Sequence, residues 1–238
     1  MTGRGNLAGI LFAAGLLAAS PAVSAEMDDA IITFFQAEQT EVRIGDGNDV
    51  VKWDAHAWVG NDDHRLAFKS EGEVEIGKGT ESAEFQFLYQ RPVSEFFDIQ
   101  VGIRHDVRPD PERTYGVIAL QGLAPQFVET DASLFVSETG DVSLRIEVER
   151  EFLLTQRLVL QPSVGVNLAF TKDAAIESGK GFNDIEIGLR LRYEVVREFA
   201  PYVGLHWERK FSDTARFAEA EGEAIDALYF VGGLRFWF

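Results

Sequence analysis

The 238-residue chain carries 39 acidic against 22 basic side chains, a formal charge of −17, and no cysteine. These numbers exclude disulfide staples, thiolate metal sites and a cysteine nucleophile, and the acidity argues against nucleic acid, whose phosphates demand a Lys/Arg excess. Past the N-terminal segment no run of about 18 apolar residues occurs, which excludes membrane-spanning helices.

In chain order, residues 1–25 read as a secretory signal peptide. Arg4 supplies the positive start, residues 7–19 (LAGILFAAGLLAA) an apolar stretch too short to span, and residues 23–25 (VSA) a small-residue cleavage site. The remainder, 26–238, reads as one domain in period two. In residues 141–151, Val142, Leu144, Ile146 and Val148 alternate with Ser143, Arg145, Glu147 and Glu149; a strand sorts these onto opposite faces, whereas a helix scrambles them. The same alternation marks twelve segments: 31–44, 50–59, 65–76, 82–91, 96–107, 113–123, 127–138, 141–151, 157–170, 182–196, 201–211 and 226–238.

A soluble exported β-barrel or sandwich would also show two-faced strands, but three features favour the membrane. The segments are long enough to cross a tilted bilayer. Short turns around residues 92, 124, 154 and 198 contrast with long polar connections at 171–181 and 212–225, as periplasmic turns and outer loops do. Aromatics gather beside the short turns: Phe96, Phe97, Phe127, Phe152, Phe199, Tyr202 and the terminal Phe236, Trp237 and Phe238. The fold class expected is therefore all-β: a transmembrane antiparallel β-barrel of about twelve strands in the outer membrane of a Gram-negative bacterium. The last strand, with Leu228, Phe230, Gly232, Leu234 and Phe236 on one face and an aromatic terminus, resembles the assembly signal of such barrels.

Seven blocks carry a more specific resemblance: 53–60 (WDAHAWVG), 69–73 (KSEGE), 121–125 (QGLAP), 153–158 (LLTQRL), 188–194 (GLRLRYE), 197–204 (REFAPYVG) and 207–211 (WERKF). In this order they resemble the copper resistance protein B family from about Phe35 to Phe238. The resemblance implies a non-enzymatic outer-membrane protein of copper tolerance that binds copper ions and limits or routes their passage. It also makes a periplasmic multicopper oxidase a candidate partner, besides outer-membrane lipid. Many members carry a long Met- and His-rich segment before the barrel. Here Met27 is the single methionine expected after cleavage, so copper handling is expected to fall to the barrel, the acidic loops or a separate partner.

Strand phase assigns the candidate ligands. Among the inward positions are Lys52, Asp54, His56, Glu71, Glu147, Glu186, Arg190, His206 and Glu208. A narrow lumen fills with salt-bridged side chains in any case. The sharper expectation is a Cu(II) site in which His56 and His206 face one another across the barrel seam with Asp54 and Glu208 beside them, because Cu(II) takes nitrogen and oxygen ligands. Asp62, Asp63 and His64 form a second, exposed candidate in a periplasmic turn. His105 falls on the lipid-facing phase near the outer rim. A lipid hydrolase there would need Ser82 or Thr114 as nucleophile, and neither lies in a recognisable motif. A passive structural or diffusion barrel is the third reading.

Overall fold

In the computed structural model, which describes residues 30–238, twelve antiparallel staves close into a barrel. They are β1 (Ile32–Gly45), β2 (Val50–Gly60), β3 (Arg65–Glu75), β4 (Gly79–Pro92), β5 (Phe97–Arg108), β6 (Arg113–Ala124), β7 (Val128–Ser137), β8 (Val142–Arg150) with its two-residue continuation β9 (Phe152–Leu153), β10 (Leu158–Ala169), β11 (Gly181–Tyr193), β12 (Phe199–Lys210) and β13 (Asp226–Trp237). Consecutive staves pair, and β1 pairs with β13 from Gln36 opposite Trp237 to Gly45 opposite Tyr229, so the sheet keeps no free edge. The expected signal peptide, 1–25, lies outside the described residues.

Alternation sorts the side chains as a membrane demands. Phe87, Val101, Ile103, Ile118, Leu189, Val203, Leu205 and Phe230 stand exposed on the outer wall, where lipid covers them, while Glu41, Lys52, Gln86, Gln100, Asp106, Gln161 and Arg192 are buried inside. The lumen is not wholly polar. On one side of it Ala67, Leu88, Tyr115, Val117, Ala119 and Phe135 pack together, and the Arg104 guanidinium lies 4.6 Å over the Phe135 ring. Strand β6 has apolar side chains on both faces, so its alternation alone leaves this inner cluster unmarked.

Register shifts fall in β1, β4, β5 and β11, and the first two bear on the reading of the strands. In β1 the register slips between Ala37 and Gln39, after which Glu41 and Arg43 point inward. In β4 Glu73 opposes Ser82 and Val74 opposes Thr80, which leaves Glu81 as the extra residue; the strand therefore begins at Gly79, earlier than the alternation indicates.

The periplasmic turns repeat one device. Asn61 Oδ1 accepts from the His64 amide at 2.8 Å, Ser94 Oγ from the Phe97 amide at 3.1 Å, and Thr155 Oγ1 from the Leu158 amide at 2.9 Å. The opposite end is different. The connection 170–180 carries a short 3-10 turn (Ala174–Ile176), and 211–225 carries α1 (Ser212–Glu221), a helix where the sequence reading has a plain polar loop. Helix α1 stops at Gly222, whose φ of 79° suits glycine. These two loops hold each other: the Gly179 amide donates to Thr214 Oγ1 at 2.9 Å, Lys172 Nζ lies 3.1 Å from Asp213, and Arg113 Nε reaches Asp173 at 2.9 Å from the far wall.

Candidate functional site

Charged side chains divide the lumen. Glu41, on the β1 side of the bulge that faces inward, accepts from Arg43 Nε at 2.8 Å, from Arg190 Nε and Nη2 at 2.9 Å each, and from the Tyr202 hydroxyl at 2.9 Å. Lys52 Nζ meets Glu71 at 2.8 Å; Arg145, from the opposite wall, reaches Glu71 at 3.0 Å and Glu84 at 2.9 Å; Arg104 completes the belt at 2.7 Å from Glu84 and 2.6 Å from Asp106. Every carboxylate in this belt answers a cation, which is how a confined lumen tolerates so many charges. Gly188 belongs to the same arrangement: a Cβ there would crowd Ser163 Oγ and come within 2.6 Å of Arg190 Nη1, so glycine leaves room for the guanidinium to lie across the wall.

Space remains on either side. A central cavity of about 570 Å³ is bordered by Asp54, His56, Glu71, Glu147, Glu186 and His206. A second of about 530 Å³ opens to the periplasmic side past His56, Arg65 and Asp98, and a third of about 390 Å³ opens outward past Glu73, Glu81, Glu186 and Glu208. The two sequence-predicted imidazoles therefore border one cavity, each packed on an aromatic ring of its own: His56 with its centroid 5.6 Å from Phe34, and His206 with its centroid 6.2 Å from Tyr229.

His206 differs from its surroundings. It is 2% exposed, yet neither ring nitrogen has a hydrogen-bond partner. Its Nε2 lies 3.5 Å from Glu186 Oε2 and 3.8 Å from Glu208 Oε2, and β12 places it opposite Gly188 and Tyr229. Buried polar atoms are almost always satisfied, so a ring that borders the central cavity, with two carboxylates within 4 Å of its Nε2, is available to a water or a cation there. Among the described residues no cluster of three or more His, Cys, Asp or Glu side chains stands in ligating geometry, so an ion here would need to draw the carboxylates inward. Asp54, the inward neighbour of His56 on β2, borders the same cavity. Glu186 joins the set although sequence reasoning gave Glu208 the adjoining role; the cross-strand register, Glu186 opposite Glu208, is the signal that brings it in.

The other two histidines stand outside the lumen. His64 stacks on Tyr89 and hydrogen-bonds its hydroxyl through Nδ1, while the Asp63 and His64 amides are tied to Asn61. Asp62 borders the periplasmic opening. His105 Nδ1 lies 3.0 Å from Thr114 Oγ1 and its Nε2 3.6 Å from Glu112; His105 and Thr114 are directly opposed on β5 and β6, so strand pairing accounts for the contact.

Comparison with known proteins agrees with this architecture. The family described as copper resistance protein B precursor matches residues 31–238. Copper resistance protein B of Escherichia coli is 40% identical over 211 residues, spanning 89% of this chain and 71% of that protein. A copper resistance protein B homolog of Pseudomonas syringae pv. tomato is 37% identical over the same shares. Among solved structures, the NanC porin superposes with a TM-score of 0.56 at 10% identity, covering 85% of this chain and 98% of its own, and the KdgM porin with a TM-score of 0.50 at 10% identity, covering 87% and 99%. At such identities the porins bear on the fold alone.

Proposed function

Starting from the fact that the chain belongs to the copper resistance protein B family and folds as an outer-membrane β-barrel, we propose that it acts by binding Cu(II) inside its lumen and thereby limiting or routing the ion's passage across the outer membrane. The observation that carries this reading is His206, a buried imidazole with both nitrogens unpartnered beside Glu186 and Glu208. The donor chemistry fits. Imidazole nitrogen and carboxylate oxygen suit Cu(II), and among the described residues no thiol or thioether lines the central cavity to favour Cu(I).

In this reading His206 supplies the nitrogen ligand and Glu186 and Glu208 the oxygens, with His56 and Asp54 as a second set towards the periplasmic opening. Asp62, Asp63 and His64 would be a weaker, solvated set at that rim, where copper would pass to a periplasmic partner such as a multicopper oxidase. The belt of ion pairs between the two openings favours a binding or gated role over passive diffusion, because a hydrated cation moving through would have to displace paired guanidinium groups. The role is non-catalytic. Copper titration of the folded protein in detergent tests it: wild type should bind Cu(II), and His206→Asn should weaken binding by about tenfold or more, since losing a group that merely supports a metal ligand already costs that much. Equal affinity in the two proteins would overturn the assignment, and unchanged copper sensitivity of cells on gene deletion would favour the passive barrel.

A further inference from the structure

The distribution of unpaired cations points to a lipid contact that is independent of copper. All but five of the described Lys and Arg side chains pair with a carboxylate, as expected where acids outnumber bases 39 to 22. The five are Arg91, Arg150, Arg157, Arg197 and Lys180. Lys180 sits in an outer loop. The four arginines all lie at the periplasmic end.

Their placement is specific. Arg91 lies one residue before the end of β4, opposite Ile99, and Arg150 ends β8 opposite Val128, both on the phase that faces lipid. Arg150 lies 4.6 Å over the Phe152 ring. Arg157 and Arg197 occupy the next two turns, and their carbonyls are fixed by the Glu194 amide at 2.7 Å and the Trp237 indole at 2.9 Å. Arg150, Arg157 and Arg197 thus occupy neighbouring staves along one sector of the rim. Around them Phe96, Phe127, Phe152, Leu153, Leu154 and Phe199 are exposed and apolar. Glu95 and Glu198 share these turns, yet neither pairs with any of the four.

In a chain this acidic, arginines left free on an aromatic girdle are complementary to an anion that the chain does not itself supply. We propose that this collar binds the phosphate of anionic phospholipid headgroups in the periplasmic leaflet, with the exposed Phe and Leu side chains beside it at the headgroup boundary. A planar guanidinium takes phosphate oxygens in pairs, and aromatic side chains favour the headgroup boundary, so the two features meet at one depth. The open outer rim offers no equivalent: there Arg108, Arg113, Lys172, Arg209 and Arg216 are already held by Asp110, Asp173, Asp213 and Asp226.

The full chain, folded in detergent, would be titrated with phosphatidylglycerol and separately with phosphatidylcholine, with bound lipids counted by native mass spectrometry. Each basic residue near an anionic surface changes partitioning about fivefold. Wild type and Lys180→Gln should therefore prefer phosphatidylglycerol by tenfold or more, and Arg91→Gln/Arg150→Gln/Arg157→Gln/Arg197→Gln should lose that preference. Heat-modifiable gel mobility reports whether the quadruple variant has folded; if it has not, Arg157→Gln/Arg197→Gln, confined to exposed turns, makes the same comparison. The proposal is overturned by a wild type that binds both lipids alike, by a folded variant that keeps the preference, or by binding of polyglutamate at the collar in place of lipid, which would make the occupant an acidic periplasmic protein.

Discussion

Replacing Glu41 by glutamine probes how the lumen is held together. Its side chain is fully buried and takes four hydrogen bonds, three of them from the guanidinium groups of Arg43 and Arg190. The amide keeps the shape but removes the charge, leaving Arg190 without a carboxylate partner and Arg43 with only Glu73, 3.1 Å away. Breaking a buried pair costs about 3–5 kcal/mol, because the abandoned charge stays desolvated. For a domain of this size that corresponds to about 10 °C in the unfolding midpoint. The assay is the temperature at which the folded, fast-migrating band converts to the unfolded one at a fixed heating rate. Asp226→Asn is the control, since Asp226 and Arg209 are half exposed and such pairs contribute about 0–1 kcal/mol. Adding Arg190→Met to Glu41→Gln should recover part of the loss by removing the stranded charge. A Glu41→Gln shift no larger than that of Asp226→Asn would refute the view that paired charges brace the lumen.

Deleting Phe238 should impair barrel assembly while leaving export intact, because its amide and carbonyl exchange hydrogen bonds of 3.0 Å with Phe35 across the closing seam and its ring stacks on Phe35 at 5.2 Å; equal yields of folded protein would contradict this. Asp173→Asn should expose Lys172 and Lys180 to trypsin at neutral pH by releasing Arg113. Burial pushes the Asp173 carboxyl up, but the Arg113 guanidinium and the Ala175 and Ile176 amides outweigh it and hold it below its ordinary 3.8. A depressed carboxyl contributes its full anchoring above that ordinary value and loses it as pH falls through the lower folded value, so hydrogen exchange in 170–180, corrected for intrinsic rate, should be flat from pH 7 to pH 5 and rise only below about pH 4. Copper affinity should also fall as salt rises, since carboxylates outnumber cations at the outer opening; a salt-independent affinity would exclude electrostatic recruitment.

Period-two alternation placed the staves because each one separates a lipid face from a lumen face, and the terminal aromatics marked the seam. Two devices escaped it. The bulge at Ala37–Gln39 flips the phase of β1, and with it the inward direction of Glu41 and Arg43, the most buried charges in the lumen; nothing in a run of QAEQTEVR announces which residue is extra. Helix α1 was legible in part, since residues 212–222 (SDTARFAEAEG) are rich in Ala and Glu and stop at glycine, but inside a long polar connection those signals were weaker than the loop pattern around them. For the candidate site, inward phase nominated His56, His206, Asp54 and Glu208. What it could not supply is the depth of burial that leaves His206 without a hydrogen-bond partner, or the register that sets Glu186 beside it, because alternation within one strand fixes neither how neighbouring staves pack nor which of their residues stand opposed.

Whether a lumenal imidazole holds Cu(II) can be read from electron paramagnetic resonance of the folded protein loaded with one equivalent of the ion. Nitrogen hyperfine coupling is expected in wild type, is retained in His64→Ala, and is lost in His206→Ala/His56→Ala at unchanged heat-modifiable mobility. Nitrogen coupling that survives the double substitution, or a wild-type spectrum with oxygen ligands only, would contradict it.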